Sequence, residues 1–266
     1  MTLTLRSLQQ CRDEGRRFSV LTAYDACLAT LESEAGIDVI LVGDSLGMVV
    51  QGRESTVPVT VEQMAYHTAC VRRGNHGSLI MADMPFMTGA TTERALEAAT
   101  ELMQAGANLV KLEGGGWLAE TVSVLQRNGI PVCAHLGLTP QAVNTLGGYR
   151  VQGRETGQAE QMIDDARRLQ DAGAELLLLE CVPREVTARL VEEVAIPVIG
   201  IGAGPECHGQ VLVAQDMLGM TVGKSPRFVK DFLADAVDIP SALRRYDEAV
   251  KAGTFPAEEH CFRLSK

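Results

Sequence analysis

Short apolar runs that alternate with helical segments constrain the fold of this 266-residue chain more than any other feature. Runs this short and continuously apolar are typical of strands that are buried on both faces of a parallel sheet. Eight of them occur, at 18–23, 37–43, 78–83, 108–113, 130–135, 175–180, 196–201 and 210–215. Eight strands alternating with helices predict an α/β fold, a closed parallel (β/α)8 or TIM barrel, and the chain length is usual for one such barrel.

The segments between these runs predict the helices and loops. Helical periodicity covers 25–36, 61–74, 92–105, 117–128, 157–172 and 183–194. Residues 3–15 are expected to form a short helix that plugs the bottom of the barrel, and the last helices are expected to fill 225–252. The Gly-containing stretches 46–59 and 136–156 are predicted to be long loops. Because no repeat or linker divides the chain, we expect residues 1–266 to be one barrel domain with an N-terminal helix and a C-terminal helical extension.

The runner-up fold is a doubly wound open sheet. Such a sheet usually has a Gly-rich dinucleotide-binding turn after its first strand. Here that turn reads Thr22-Ala23-Tyr24-Asp25, which does not fit. The closed barrel is therefore the preferred prediction.

Composition excludes several classes of function. A net charge of -10 disfavours nucleic acid or an anionic membrane as a partner, because both require a basic face. Seven cysteines without a CxxC pair are typical of a reduced, cytoplasmic protein and not of a disulfide framework or a zinc site. The sequence has no signal-peptide pattern and no apolar run of the roughly 18 residues that a membrane span needs.

Three of the predicted strands end in a carboxylate. Asp44, Asp83 and Glu113 follow or close the runs at 37–43, 78–83 and 108–113. The carboxyl ends of barrel strands meet at one mouth, where barrel enzymes have their active sites. Three clustered negative charges repel one another unless a cation lies among them. Because hard oxygen ligands suit Mg²⁺ or Mn²⁺, the pattern predicts a divalent metal site.

Further polar residues lie at the same strand ends. Lys111 is two residues from Glu113, so both side chains point to one face of their strand, where the lysine can bind an anionic oxygen. His135 follows Cys133 at the same spacing and is a candidate inward-facing residue or a hydrogen-bonded core histidine. Glu180 ends an all-leucine strand and is a candidate proton acceptor. Asp25 is more simply explained as a helix cap.

Two reaction classes suit these residues. Lys111 could form a Schiff base, but neighbouring carboxylates favour its protonated form, which is not a nucleophile. A metal-assisted enolisation of a 2-oxo acid fits better, with a base removing the C–H proton next to the carbonyl. The run Gly200-Ile201-Gly202-Ala203-Gly204 is a weak phosphate-binding signal that a tight turn explains equally well.

Several motifs together resemble the ketopantoate hydroxymethyltransferase family over about residues 18–262. They are Gly43-Asp44-Ser45-Leu46-Gly47-Met48, Tyr66-His67-Thr68, Ala82-Asp83-Met84-Pro85-Phe86, Val110-Lys111-Leu112-Glu113-Gly114-Gly115, His135-Leu136-Gly137-Leu138-Thr139-Pro140-Gln141, Gly147-Gly148-Tyr149, Leu179-Glu180, Gly200-Ile201-Gly202-Ala203-Gly204 and Glu258-Glu259-His260. The resemblance implies a barrel of the phosphoenolpyruvate/pyruvate type, usually assembled as a homodecamer, a pentamer of dimers.

The resemblance also implies a reaction and a set of roles. Members of the family transfer a one-carbon unit from 5,10-methylenetetrahydrofolate to 3-methyl-2-oxobutanoate and form 2-dehydropantoate, on the route to pantothenate. By matched motif, Asp44 and Asp83 are expected to bind one Mg²⁺ per subunit, with Glu113 a direct or water-mediated ligand. Ser45 and Lys111 are expected to hold the oxo acid together with both aspartates, and His135 is a further candidate for substrate binding. Glu180 is expected to accept the proton.

Two positions depart from the family pattern. His208 stands where an Asp usually precedes Gly209, and Arg150 replaces a common Lys, so local loop contacts are expected to differ.

A metal-dependent C–C lyase of the isocitrate lyase type is the alternative function, although residues 111–117 lack the Cys that such lyases use. A non-catalytic barrel would be expected to lack a metal or base residue, and none is missing.

Overall fold

The computed structural model describes residues 3–264 and contains eight parallel strands closed into a ring in sequence order. The strands are β1 (Phe18–Thr22), β2 (Val39–Val42), β3 (Leu79–Asp83), β4 (Leu109–Glu113), β5 (Val132–Gly137), β6 (Leu176–Glu180), β7 (Val198–Ile201) and β8 (Gly209–Leu212). The predicted (β/α)8 barrel is confirmed, and β1 closes the ring by pairing with β8.

The helices surround the ring as the periodicity predicts. They are α1 (Leu5–Asp13), α2 (Ala26–Ala35), α3 (Leu46–Val49), α4 (Val61–Gly74), α5 (Thr92–Gln104), α6 (Ala119–Arg127), α7 (Val143–Leu146), α8 (Thr156–Asp171), α9 (Arg184–Glu193), α10 (Ala214–Met217) and α11 (Ile239–Lys251). Helices α3 and α7 lie in the two stretches that we predicted to be loops, so those predictions are wrong in detail.

The core has an inner and an outer layer because strand side chains alternate between the two faces. Val20, Val39, Met81 and other inward residues fill the barrel, and Leu8 of α1 packs against them from below. The predicted plug at the bottom is thus confirmed. The outer layer packs the opposite strand faces against α4, α5, α6 and α8.

Helix α11 contacts both β1 and β8, the two strands whose pairing closes the ring. Its Tyr246 is fully buried, and the phenolic hydroxyl lies 2.8 Å from the carbonyl oxygen of Val20 and 2.9 Å from that of Gln210. Because Val20 is on β1 and Gln210 on β8, one donor is shared between the first and the last strand. The hydroxyl therefore stabilises the one pairing that joins distant ends of the barrel sequence.

Several predicted boundaries are wrong, among them the starts of β2, at Val39 and not residue 37, and of β7, at Val198 and not residue 196. Strand β5 begins at Val132, not residue 130, because Ile130 N–H still bonds the end of α6 at Leu125 and Pro131 has no N–H to donate. Strand β8 ends at Leu212, since Ala214 N–H donates to the Thr22 hydroxyl at the start of α10. In the predicted helical region 225–252, only Ile239–Lys251 is helical.

A local turn explains the non-helical stretch before α11. The Asp231 carboxylate accepts from the N–H groups of Leu233 and Ala234, which forms a turn in place of a helix. Asp238 then caps α11 by accepting from the Ser241 N–H at 2.8 Å. The C-terminal extension is therefore one capped helix that follows an irregular segment.

Candidate active site

The predicted site residues gather at the C-terminal mouth of the barrel. A cavity of about 260 Å³ there is lined by all seven of them: Asp44, Ser45, Asp83, Lys111, Glu113, His135 and Glu180. Neighbouring strands bring these groups together through their register, which pairs Asp83 with Lys111 and Glu113 with His135. The convergence expected from the strand ends is therefore present.

A buried ammonium lies at the centre of this cluster. Lys111 Nζ is 3.0 Å from Asp83 Oδ1, 3.5 Å from Glu113 Oε1 and 3.2 Å from His135 Nδ1. Burial by itself lowers the pKa of Lys111, but the carboxylates of Asp83, Glu113 and Asp44 outweigh it and raise the pKa above its ordinary value. Lys111 is therefore charged at neutral pH and is suited to binding an anionic oxygen, not to forming a Schiff base.

The carboxylates differ in how well nearby positive charges and hydrogen-bond donors stabilise their ionised forms. Burial and the negative charges of Asp83 and Glu113 raise the pKa of Asp44 well above its usual range. Burial also acts to raise the pKa of Glu113, but the Lys111 ammonium and the His135 side chain lower it to about 2. Asp44 is therefore the acid whose ionised form most needs a further positive charge nearby.

The donor set fits a cation that is held by few protein ligands. Among residues 3–264, no three His, Cys, Asp or Glu side chains are arranged as a ready-made metal site. Lys111 contacts both Asp83 and Glu113, while Asp44 and Asp83 are neighbours, with Asp44 N–H donating to Asp83 Oδ2 at 3.0 Å. Asp83 Oδ1 is buried and faces the Lys111 ammonium at 3.0 Å. Two carboxylates that leave room for water or substrate oxygens suit Mg²⁺.

His135 connects the ammonium to the candidate base. Its Nδ1 faces Lys111 and Glu113, and its Nε2 lies 3.4 Å from Glu180 Oε2. Burial and the Lys111 charge act to lower the pKa of His135, but Glu113 and Glu180 outweigh them and raise it. Because an ammonium can only donate, a neutral His135 that accepts at Nδ1 carries its proton on Nε2, toward Glu180.

Ser45 is oriented by a residue that the sequence analysis did not select. The hydroxyls of Tyr24 and Ser45 are 2.9 Å apart, and Tyr24 is buried at the end of the first strand. The Tyr24 carbonyl is in turn 2.7 Å from His67 Nδ1 on α4. These contacts hold the serine hydroxyl at the wall of the cavity.

Gln141 was also missed as a site residue, although it closes one of the quoted motifs. Its side-chain Nε2 donates to Asp44 Oδ2 at 2.8 Å, and its backbone N–H donates to Glu113 Oε2 at 3.0 Å. Gln141 lies in the short 3₁₀ turn Pro140–Ala142 after β5. A side chain on an irregular loop gives no periodic signal, so only the motif itself could have drawn attention to it.

A larger groove adjoins the mouth. Its volume is about 890 Å³, and Glu113 lines both spaces. The groove wall includes Leu112, Met162 and Trp117, of which Trp117 is 69% exposed. An exposed tryptophan beside a mostly apolar groove provides a surface on which a planar ring could stack.

Two weaker candidates have structural explanations. Asp25 caps α2, because its carboxylate accepts from the Leu28 N–H at 2.9 Å. In the Gly-rich run 200–204, which begins within β7, a Cβ on Gly202 would lie 2.9 Å from Phe228 Cδ1. A Cβ on Gly200 would lie 2.8 Å from Cys207 Sγ. Helix capping and close packing account for these residues without a phosphate.

His208, one of the two departures from the family pattern, has a defined role. Its Nδ1 accepts from the Val198 N–H at 3.0 Å, at the start of β7. A carboxylate at this position could accept the same bond, so the contact survives the substitution.

No helix among residues 3–264 has the length and apolar character needed to cross a membrane.

A closed parallel barrel with ionisable side chains buried at its C-terminal mouth defines the class of barrel enzymes. The comparison with known families is more specific. The model of the ketopantoate hydroxymethyltransferase family matches residues 2–258, and this chain belongs to that family of transferases.

The relatives agree over the whole length. A 3-methyl-2-oxobutanoate hydroxymethyltransferase of Alcanivorax borkumensis is 63% identical over 262 residues, which cover 98% of this chain and 100% of that protein. The protein of the same name from Marinobacter nauticus is 59% identical over 263 residues, with 99% and 100% covered. This agreement favours the transferase function over the alternative function as a C–C lyase.

Solved structures support the fold. A phosphonopyruvate hydrolase crystallised with oxalate and Mg²⁺ superimposes with a TM-score of 0.61 at 13% identity, covering 80% of this chain and 81% of that one. A 2,3-dimethylmalate lyase, described as a phosphoenolpyruvate mutase/isocitrate lyase superfamily member, gives 0.58 at 17% identity, with 82% of each chain covered. These superpositions show that the chain shares the barrel fold of these proteins.

Proposed function

We propose that this protein transfers a one-carbon unit from 5,10-methylenetetrahydrofolate to 3-methyl-2-oxobutanoate and forms 2-dehydropantoate, the first step of pantothenate biosynthesis. The observation that carries the proposal is the buried Lys111 ammonium, 3.0 Å from Asp83 and 3.2 Å from His135, in the same cavity as Glu180. An anionic 2-oxo acid needs a fixed positive charge, and removal of its C3 proton needs a base within reach.

Asp44 and Asp83 would hold Mg²⁺, and Glu113, bonded to the Gln141 N–H, would act through water. The bound ion would act as a Lewis acid that polarises the 2-oxo group, which is worth several kcal/mol of transition-state stabilisation. Ser45 and Lys111 would bind the oxo acid: the serine hydroxyl can donate to an oxygen of the substrate, and the ammonium faces the oxygen on which negative charge develops.

Glu180 would take the C3 proton. The C3–H bond breaks, the proton goes to the Glu180 carboxylate, and the electron pair forms the C2–C3 double bond as charge moves to the 2-oxo oxygen. His135, with Nε2 at 3.4 Å from Glu180 Oε2, would orient this carboxylate. Carbon C3 would then bond to the methylene carbon of the folate, and both C–N bonds of that carbon would break. One water would supply the hydroxyl group, and its remaining proton and the proton held by Glu180 would go to the two nitrogens of the departing tetrahydrofolate.

Size suggests where the two substrates bind. The mouth cavity of about 260 Å³ suits a small oxo acid, whereas the adjoining groove of about 890 Å³ suits a molecule as large as a folate. We propose that the folate uses the groove and that Trp117 stacks on one of its rings. Glu113 and Gln141, which lie between the groove and the metal carboxylates, would then separate the two substrates.

We further propose a cytoplasmic homodecamer built as a pentamer of dimers, with residues 1–266 of each chain forming one domain. These features rest on the family resemblance and on the absence of a CxxC pair in the sequence. Light scattering after size-exclusion chromatography checks the assembly, since a decamer has ten times the mass of the chain. A smaller mass at the working concentration would contradict it.

Formation of 2-dehydropantoate tests the main proposal. The purified protein is incubated with the oxo acid and methylenetetrahydrofolate, with Mg²⁺, with EDTA, and with EDTA followed by excess Mg²⁺. We expect product with Mg²⁺, none in EDTA, and recovery when the ion is restored. No product in Mg²⁺ would overturn the proposed reaction, and full activity in EDTA would overturn the Lewis-acid role alone.

A further inference from the structure

Gln141 makes three hydrogen bonds to groups from three different strands or their loops. Its side-chain Nε2 donates to Asp44 Oδ2 after β2, at 2.8 Å, and to the carbonyl oxygen of Met84 after β3, at 2.9 Å. Its backbone N–H donates to Glu113 Oε2 at the end of β4, at 3.0 Å. One loop residue therefore contacts two of the three acids predicted to serve the cation.

The orientation of the Gln141 amide is fixed by its partners. Both protons on Nε2 point at oxygens that can only accept, the Asp44 carboxylate and the Met84 carbonyl. With the amide reversed, Oε1 would face these same two acceptors, and both bonds would be lost. The side chain thus has one stable arrangement, which makes it a fixed donor beside Asp44.

This donor has a consequence for the Asp44 carboxylate. The Gln141 amide donates to Oδ2 and not to Oδ1. Asp44 is 3% exposed, so its carboxylate depends on hydrogen bonds from the protein and not on water. A donated hydrogen bond favours the ionised carboxylate and leaves the other oxygen for a cation.

We propose that Gln141 is a positioning residue that orients Asp44 and Glu113 for the divalent cation and thereby sets the affinity of the site. This inference rests on the proposed function, because it takes Asp44 as a metal ligand. Partners that orient metal ligands typically contribute 10–100-fold to metal affinity, roughly the size of effect expected here. Gln141 itself need not touch the ion or the substrate.

The test measures Mn²⁺ binding in the absence of both substrates. Mn²⁺ is titrated into wild type, Gln141→Leu and Gln152→Leu, and free Mn²⁺ is followed by electron paramagnetic resonance. Gln152 is the matched control, because it lines the same groove but its side chain donates only to the Arg150 carbonyl. We expect Gln141→Leu to bind Mn²⁺ about 10–100-fold more weakly and Gln152→Leu to bind as wild type does.

Equal Mn²⁺ affinity of Gln141→Leu and wild type would overturn the inference. Circular dichroism checks folding, and if the leucine variant does not fold, Gln141→Met provides the same loss of donor with an unbranched side chain. The outcome is separable from that of the proposed function. A wild type that makes no 2-dehydropantoate, with Mn²⁺ binding still weakened by Gln141→Leu, would refute the reaction and leave the role of Gln141 intact.

Discussion

Asp83 and Lys111 are register partners on adjacent strands, and their charged atoms lie 3.0 Å apart in a nearly closed environment. The side chain of Lys111 is 4% exposed and that of Asp83 is 5% exposed. In such surroundings, charges are stable only as compensated sets. Lys111 therefore has a structural role as a counter-charge in addition to its proposed contact with the substrate.

Lys111→Met should destabilise the protein. Removing the ammonium leaves Asp83 and Glu113 without their shared counter-charge, which typically costs about 3–5 kcal/mol for a buried pair. Added Mg²⁺ should raise the melting temperature of this variant more than that of wild type. Thermal unfolding with and without Mg²⁺ measures both effects, with the exposed Lys224→Met as control. Equal stability of wild type and Lys111→Met would contradict this account.

Glu180→Gln should slow exchange of the C3 proton of 3-methyl-2-oxobutanoate with deuterated water. Gln has the same shape but cannot accept the proton, and loss of a general base typically reduces the rate about 10²–10⁴-fold. Proton NMR of the C3 signal follows the exchange without folate. Mn²⁺ affinity should be unchanged, because Glu180 contacts His135 and not Asp44 or Asp83. Unchanged exchange would move the base elsewhere, with His135 next.

Trp117→Ala should separate the two half-reactions. Trp117 lines the groove but not the mouth cavity, so its removal should raise KM for the folate by about tenfold, a loss on the scale of one stacking contact. C3 exchange should proceed at the wild-type rate. Trp117→Phe, which keeps a ring, should be closer to wild type. A folate KM that is unaffected by Trp117→Ala would place the folate outside this groove.

Glu32→Met should stabilise the protein at neutral pH. Glu32 on α2 is fully buried, and neither carboxyl oxygen has a hydrogen-bond partner among residues 3–264. Burial raises its pKa well above the usual range, so the unfolded chain releases this proton more readily than the folded one, and stability falls as pH rises above about 4.3. Replacement by an apolar residue of similar length should recover about 1–3 kcal/mol.

Urea unfolding of wild type and Glu32→Met at several pH values measures this effect. The gain from Glu32→Met should be smallest below about pH 3, where Glu32 is protonated in both states. Glu32→Gln serves as the control that keeps a polar side chain but removes the titration. A gain that is independent of pH would show that Glu32 is not the group responsible.

His208 should contribute to acid sensitivity. Burial, followed by the charges of Arg12 and Arg17, lowers its pKa to about 4, while the unfolded value is about 6.5. The unfolded state therefore binds the proton first, and stability is lost as pH falls from 6.5 toward 4. His208→Asn, whose side-chain oxygen can accept from Val198 N–H, should reduce this loss. Melting temperatures between pH 7 and 4 give the comparison, and identical pH profiles would contradict it.

The barrel and its charged mouth were predictable because both depend on strand periodicity. Asp44, Asp83 and Glu113 could be placed at one mouth since parallel strands end on the same side, and Lys111 shares the inward face of Glu113 by a spacing of two. Gln141 could not be placed by such reasoning, because its contact with Asp44 spans 97 residues and starts from an irregular loop.

The wrongly predicted strand and helix boundaries have local causes that the hydrophobic periodicity does not reveal. Pro131 delays β5, and Asp231 forms a turn where an apolar pattern suggested a helix. The three acids proposed to serve the cation are also not equivalent, which their shared position at strand ends does not indicate. The Lys111 ammonium contacts one oxygen of Asp83 and one of Glu113, so it competes with a cation for these carboxylates. This competition depends on side-chain distances that only the folded chain defines.

The position of Tyr246 has a consequence for how a newly made chain becomes active. The residues proposed to perform the chemistry all lie at or before Glu180, but the ring closes only when Gly209–Leu212 pairs with β1 and Tyr246 bridges Val20 and Gln210. A chain still attached to the ribosome therefore contains its full set of reactive groups well before it can assemble them. We therefore expect the protein to become active only late in synthesis, once α11 has been made.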